Sequence, residues 1–206
     1  SYFGGSNWGS MATDARRGLL ITNTSRMASV LRLIPRAEFV ARMTAARESG
    51  ETPPQWEPQE GTPYAMTRDF LVSFLGLPCS PPPWGTLVAI DLATGEIRWE
   101  VPLGTTEDIA PLPIGLPLGV PSQGGPIVTA SGLIFIAAAM DDYLRAFDVE
   151  SGLELWRGRL PAGGQATPLT YRTHPEGKQF VVVAAGGHAL MGTTAGDSVV
   201  AFSLKD

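Results

Sequence analysis

One cysteine, Cys79, and two histidines, His174 and His188, are all that this 206-residue chain holds of those two residue types. A lone cysteine allows no internal disulfide, and no surrounding pattern marks Cys79 as a nucleophile, so it reads as an inert loop thiol. Two histidines cannot assemble a His-rich metal site. His174 stands beside Pro175 in an evident turn and is expected to face solvent. No stretch of about 18 apolar residues occurs and no charged-then-apolar leader opens the chain, so the sequence shows neither a membrane-spanning helix nor an export signal of its own. The net charge of −5 and the lack of a basic stripe argue against a nucleic-acid partner. No GxGxxG follows a strand pattern, and GxxxxGK[ST], HExxH and CxxC do not occur.

What is present is a repeat. AIDLATGEIRW, ending at Trp99, and AFDVESGLELW, ending at Trp156, match at an offset of 57 residues, pairing Ala89 with Ala146, Asp91 with Asp148, Gly95 with Gly152 and Trp99 with Trp156. Each copy reads as an alternating strand, a Thr-Gly or Ser-Gly turn in which glycine supplies a positive φ, and a second strand closing on tryptophan. A tryptophan recurring at one position suits the seam between stacked sheets, where its ring is buried and its indole N–H finds an acceptor. A third, truncated copy begins at Asp197, where DSVVAFSL lines up with DYLRAFDV from Asp142, and the sequence ends at Asp206 before a turn or closing tryptophan.

The remaining strands lie upstream of each copy: two around Ser131-Gly132 in PIVTASGLIFIAAA, two around Pro-Glu-Gly in TPLTYRTHPEGKQFVVVAA, and two of the same shape in MATDARRGLLITNT. A small sheet cannot bury both faces alone, whereas stacked sheets can, so the reading is an all-β chain forming a partial β-propeller of about three four-stranded blades. The units span about residues 1–101, 125–159 and 166–206. An insertion, 32–84, interrupts the first, with a helix over Ile34–Gly50 and a proline-rich loop over Pro53–Pro83. The 24 glycines and 18 prolines agree with a turn-dense β fold. A start inside a strand-like pattern and a stop after half a blade suggest a piece of a longer chain.

Three glycine-rich connections carry the candidate chemistry: GGSNWGS (Gly4–Ser10), QGGP (Gln123–Pro126) and AAGGHALMGTTAGD (Ala184–Asp197). Glycines there let backbone N–H groups approach a planar or anionic ligand. Asn7 offers a donor and an acceptor, Trp8 a stacking face, and His188 a titratable ring. From residues alone the reading is a propeller segment with one candidate polar pocket, and glycine-rich propeller loops without a ligand remain an open alternative.

At these residues the chain resembles a known family. AxDxxTGexxW is similar to the tryptophan-docking repeat of pyrroloquinoline quinone (PQQ) dehydrogenases, and GGSNWG, FLGLPCSPPPWGTLVAIDL, GRLPAGGQATPLTY and GKQFVVVAAGGH together resemble the C-terminal part of the membrane-bound quinoprotein glucose, quinate and shikimate dehydrogenases. That resemblance implies an eight-bladed propeller holding PQQ with Ca²⁺ or Mg²⁺, facing the periplasm at the inner membrane. Electrons would pass to ubiquinone through a membrane-anchored part, with an aldose or cyclic polyol as substrate. It implies no catalytic residue within this segment, since the aspartate base, the lysine and the main metal ligands are expected upstream, in the N-terminal remainder of the propeller. For cofactor binding it points to Asn7, to Gln123 and Gly124 as the place where a backbone amide meets the quinone, and to His188. Trp99 and Trp156 would be docking residues. Two alternatives stay open: a propeller of the same kind serving as a scaffold in envelope assembly without cofactor, and a soluble quinoprotein alcohol dehydrogenase, whose adjacent-cysteine pair Cys79 cannot supply.

Overall fold

A computed structural model describes residues 4–52, 56–74, 76–110 and 114–204. Three antiparallel meanders follow one another along the chain, each built as the repeat demands. The first runs β1 (Ala12–Asp14), β2 (Leu19–Ser25), β6 (Gly85–Asp91) and β7 (Ile97–Pro102). The second runs β8 (Ile127–Val128), β9 (Leu133–Ile136), β10 (Tyr143–Asp148) and β11 (Glu154–Arg159). The third holds β12 (Leu169–Arg172), β13 (Gln179–Ala185) and β14 (Ser198–Ser203). The repeat is kept to the level of single pairs: Ala89 faces Trp99 and Ala146 faces Trp156, and in both sheets the register slips by a bulge at the next residue. In both turns the aspartate, Asp91 or Asp148, accepts backbone N–H bonds from residues two and three further on, and Gly95 and Gly152 take φ of 75° and 71°.

Strand alternation puts every second side chain on a face that only the neighbouring sheet can cover. Leu19, Ile21, Leu87 and Ala89 of the first sheet meet Ile134, Ile136, Phe147 and Val149 of the second in one core, closed by Leu103 and Val120 from the connection between them. Leu144 and Ala137 meet Leu160, Ala162, Val183 and Ala185 in a second core, shared with the third sheet. Trp99 seals the first seam: it is partly buried, and its Nε1 donates to the Val149 carbonyl 3.0 Å away in the next sheet. Trp156 sits differently from its repeat partner. It is 40% exposed and meets Phe202 of the third sheet edge-on, with ring centroids 5.0 Å apart.

The insertion departs most from the sequence reading. It begins at residue 26 rather than 32, directly after β2, and includes a fourth sheet in the order β3-β5-β4, made of β3 (Ser29–Pro35), β4 (Trp56–Pro58) and β5 (Tyr64–Phe70). Two stretches of the expected proline-rich loop, Trp56–Pro58 and Tyr64–Phe70, are therefore strand; its residues 53–55 and 75 lie outside the described residues. The helix is as expected, α1 (Arg36–Ser49), entered at Pro35 and ended by Gly50 in the left-handed conformation. It lies on the sheet with Phe39 6.3 Å from the Trp56 ring and the Arg42 guanidinium 5.0 Å above that ring. Ser25 pairs with Gly85 where the insertion leaves and returns, and it also pairs with Gly5 and exchanges hydrogen bonds with Ser122. The insertion is thus rooted at the end of the sheets where the 4–10 and 121–126 loops lie. Among the described residues no helix is long and apolar enough to cross a membrane.

Candidate functional site

Four connections converge at one end of the three sheets, and glycine is what lets them touch. The 4–10 loop precedes β1, the 121–126 loop precedes β8, the 160–168 loop precedes β12 and the 186–197 loop joins β13 to β14. A Cβ on Gly9 would fall 1.8 Å from the Gly124 carbonyl carbon, and one on Gly125 would fall 1.8 Å from the Gly9 oxygen. Gly124, with φ of 107°, leaves no room either: its Cβ would stand 2.3 Å from the Gln165 oxygen. The backbones of three separate connections are in direct contact, with no side chain between them.

Asn7 is half-buried, and its Oδ1 accepts the Trp8 N–H at 2.8 Å, while its Nδ2 has no hydrogen-bond partner among the described residues. Trp8 is 59% exposed, with a free indole face, while its Nε1 reaches Gln123 Oε1 at 3.4 Å. Gln123 is buried, and its backbone N–H is already given to the Ala138 carbonyl at 2.9 Å. The Gln123 N–H is therefore engaged within the protein, and its side-chain oxygen faces the Trp8 indole N–H.

His188 follows Gly187, whose φ is 72°, and opens the 3₁₀ turn Ala189–Met191. Its backbone N–H donates to Thr193 Oγ1 at 2.8 Å, and Thr193 donates to Gln165 Oε1 at 2.9 Å. The ring nitrogen Nδ1 of His188 is buried and has no hydrogen-bond partner among the described residues. Leaving a buried polar atom unpaired costs about 1–3 kcal/mol, so such an atom marks a place where a ligand can supply the missing bond. Asn7, Gln123, Gly124 and His188 are thereby joined through Gly9, Gln165 and Thr193 into one continuous contact network.

A second polar cluster borders the 186–197 loop, and nothing in the glycine pattern announced it. Thr194 Oγ1 donates to Asp142 Oδ2 at 2.8 Å, the Asp142 N–H donates to Asp108 Oδ2 at 3.0 Å, and Arg159 grips both Asp108 oxygens at 2.6 and 2.7 Å. Burial, with Asp108 and Asp141 as like-charged neighbours, pushes the Asp142 carboxyl above the ordinary range. Burial acts the same way on Asp108, but the Arg159 fork, the Asp142 N–H and the nearby Arg145 charge together outweigh it and hold that carboxyl low. Next to them Asp141 and Arg145 are 0% and 1% exposed and paired through two hydrogen bonds, with Asp141 also taking the N–H and hydroxyl of Thr105. Adjacent Asp141-Asp142 in a loop was the one available sequence signal. Among the described residues no three His, Cys, Asp or Glu side chains converge on a common point. His174 and Cys79 are both exposed, His174 in the β12–β13 turn and Cys79 in the insertion.

Antiparallel meanders stacked side by side, with glycine-rich loops gathered at one end, are the architecture of a β-propeller. The chain belongs to the PQQ-dependent dehydrogenase propeller family: residues 1–181 match the family described as "PQQ: Glucose/ethanol/alcohol dehydrogenase, beta-propeller domain". It is 44% identical over 207 residues to "Probable quinate dehydrogenase (quinone)" of Xanthomonas campestris pv. juglandis, covering 98% of this chain and 26% of that protein. It is also 44% identical over 205 residues to "Quinoprotein glucose dehydrogenase" of Escherichia coli strain K12, covering 97% of this chain and 25% of that protein. The chain thus spans about a quarter of the length of these curated relatives. Among solved structures, the quinohemoprotein alcohol dehydrogenase from Comamonas testosteroni superposes with a TM-score of 0.57 at 22% identity, covering 98% of this chain and 26% of that one, a likeness of fold.

Proposed function

We propose that this chain supplies one side of the PQQ site of a quinoprotein dehydrogenase that oxidises an aldose such as glucose, or a cyclic polyol of the quinate or shikimate type. The carrying observation is the buried, unpartnered Nδ1 of His188 in a network that also holds Asn7, Trp8, Gln123 and Gly124. These residues fit a flat, polar cofactor. Trp8 presents an exposed ring for stacking and Asn7 an amide donor without a partner among the described residues, beside the close Gly9–Gly124 backbone contact. When bound, PQQ supplies an ortho-quinone able to accept a hydride from a substrate C–H. Asn7 Nδ2 would donate to an acceptor on it, the Trp8 ring would stack and exclude water, and His188 would offer a ring nitrogen to the cofactor or a substrate hydroxyl. The base, the lysine and the principal ligands of a Ca²⁺ or Mg²⁺ ion belong, on this reading, to the part of the protein outside these residues. So do the membrane part that delivers electrons to ubiquinone and the placement of the propeller on the periplasmic face.

The test is reconstitution of the full-length apoenzyme with PQQ and a divalent metal, assayed on glucose and on quinate. Asn7→Ala is expected to raise the PQQ concentration for half-maximal activity. His188→Ala or His188→Asn is expected to raise that concentration or KM, with kcat falling less than kcat/KM. Unchanged values for both positions would remove the cofactor from this loop cluster, and a scaffold role without cofactor would then be the reading to pursue.

A further inference from the structure

We propose that Gln165 and Thr193 are positioning residues that hold His188 in place for cofactor or substrate, an inference that rests on the functional reading above. Gln165 is 3% exposed and sits between two connections. Its Nε2 donates to the Ala139 carbonyl at 2.9 Å, and its Oε1 accepts from Thr193 Oγ1 at 2.9 Å. A backbone carbonyl can only accept, so the amide nitrogen must face Ala139 and the amide oxygen must face Thr193. That orientation in turn fixes the Thr193 hydroxyl. Its one proton goes to Gln165, which leaves a lone pair for the His188 N–H at 2.8 Å. Each member has one workable arrangement, and His188 stands at the end of the relay.

The surrounding backbone makes the relay a brace across two sheets. Ala138 and Ala139 follow β9, and their carbonyls hold Gln123 on one side and Gln165 on the other. Gly163 N–H donates to the Thr194 carbonyl, and the Gly163 carbonyl accepts from Gly187, so the histidine loop is tied on both sides of His188. A Cβ on Gly163 would fall 2.4 Å from Gln165 Oε1 and 2.6 Å from Thr193 Oγ1, so this position has room only for glycine beside the hydrogen bond. A buried side chain that spends its amide on joining a neighbouring sheet to the histidine loop fixes the backbone from which the His188 ring projects, without touching a ligand.

The experiment uses the full-length apoenzyme and its PQQ-reconstituted form, with Thr193→Val, Thr193→Ser, Gln165→Met and Gln165→Glu beside His188→Ala. Readouts are the PQQ concentration for half-maximal reconstitution, KM, kcat and the Tm of the apoprotein. Thr193→Val and Gln165→Met keep shape and lose the hydrogen bonds; each is expected to raise the PQQ midpoint or KM roughly tenfold, with kcat changing less. Thr193→Ser keeps the hydroxyl and is expected to stay within about twofold of wild type on the same reasoning. Gln165→Glu sets a carboxylate oxygen against the Ala139 carbonyl and is expected to be worse than Gln165→Met despite its closer shape. A lowered Tm in Thr193→Val and Gln165→Met with unmoved PQQ midpoint and KM would overturn the proposal, as would Thr193→Ser behaving like Thr193→Val. Should Thr193→Val not fold, Gln165→Met against Gln165→Glu decides alone. If His188→Ala itself leaves PQQ midpoint and KM unchanged, the functional reading of the site falls, whereas a shift in His188→Ala with none in Thr193→Val or Gln165→Met sinks only the positioning role.

Discussion

Gly152 lies flat against the indole of Trp99, so close that a Cβ there would stand 2.7 Å from Trp99 Cε3. One repeat's tryptophan is received by the next repeat's turn, and the same glycine, at φ of 71°, makes that turn possible. Trp99→Ala is expected to cost about 3–5 kcal/mol, as large-to-small core changes do. Trp99→Phe, which keeps a ring but loses the bond to the Val149 carbonyl, should cost about 1 kcal/mol from the hydrogen bond on top of any packing loss. Gly152→Ala meets both the ring and the unfavourable φ and should lower the urea midpoint clearly. A Gly152→Ala protein with an unchanged midpoint would show that the ring does not seat there.

Asp141 and Arg145 offer a separate test, because both are almost wholly buried and each neutralises the other. Removing one partner strands a charge, so Arg145→Met should cost about 3–5 kcal/mol. Adding Asp141→Asn to Arg145→Met should recover part of that loss, since Asn still accepts the Thr105 N–H without carrying charge. Chemical denaturation of both variants measures the coupling, and a double variant less stable than Arg145→Met would refute it.

Asp142 should be a source of pH dependence with a definite sign. Its carboxyl is raised above the ordinary value, by burial first and by neighbouring Asp108 and Asp141, so the folded state disfavours its charge. The associated destabilisation is full once pH exceeds the folded-state value, fades as pH falls toward the unfolded-state carboxylate range, and is absent below it. Asp142→Asn, which can still accept from Thr194, should therefore raise Tm at neutral pH, with the gain closing as pH is lowered through that range. Equal Tm differences across the titration would contradict the assignment.

Two glycines of the candidate site make opposite forecasts. Gly9→Ala would drive a methyl into the Gly124 backbone, which cannot yield without moving the 121–126 loop. Gly186→Ala would meet nothing nearer than the Gly196 oxygen at 3.7 Å, an ordinary contact. In the full-length enzyme Gly9→Ala should impair PQQ reconstitution strongly and Gly186→Ala should leave it within about twofold, the effect tracking steric overlap rather than loss of glycine.

The paired repeats, their turns and the sheet class were legible along the chain because their causes are local. An aspartate caps a turn two and three residues on, glycine takes the positive φ, and alternation sets each strand's faces, so Asp91–Gly95–Trp99 and Asp148–Gly152–Trp156 announce themselves. The α1 boundaries were readable for the same reason, from Pro35 and Gly50. The insertion's sheet was not, because β3 and β5 are separated in sequence by a helix and by β4. Leu31-Arg32-Leu33 becomes a strand only through pairing with Met66-Thr67-Arg68. The sequence also carried the candidates Asn7, Gln123, Gly124 and His188, since glycine-rich loops and rare polar residues stand out. It could not say that the Gln123 N–H is spent on Ala138, or that Trp156 meets Phe202 edge-on. Nor could it bring Gln165 and Thr193 into the site. Those depend on which backbones approach within van der Waals contact once separate sheets stack, a distance that residues 28 positions apart do not encode locally and that only the packed seams impose.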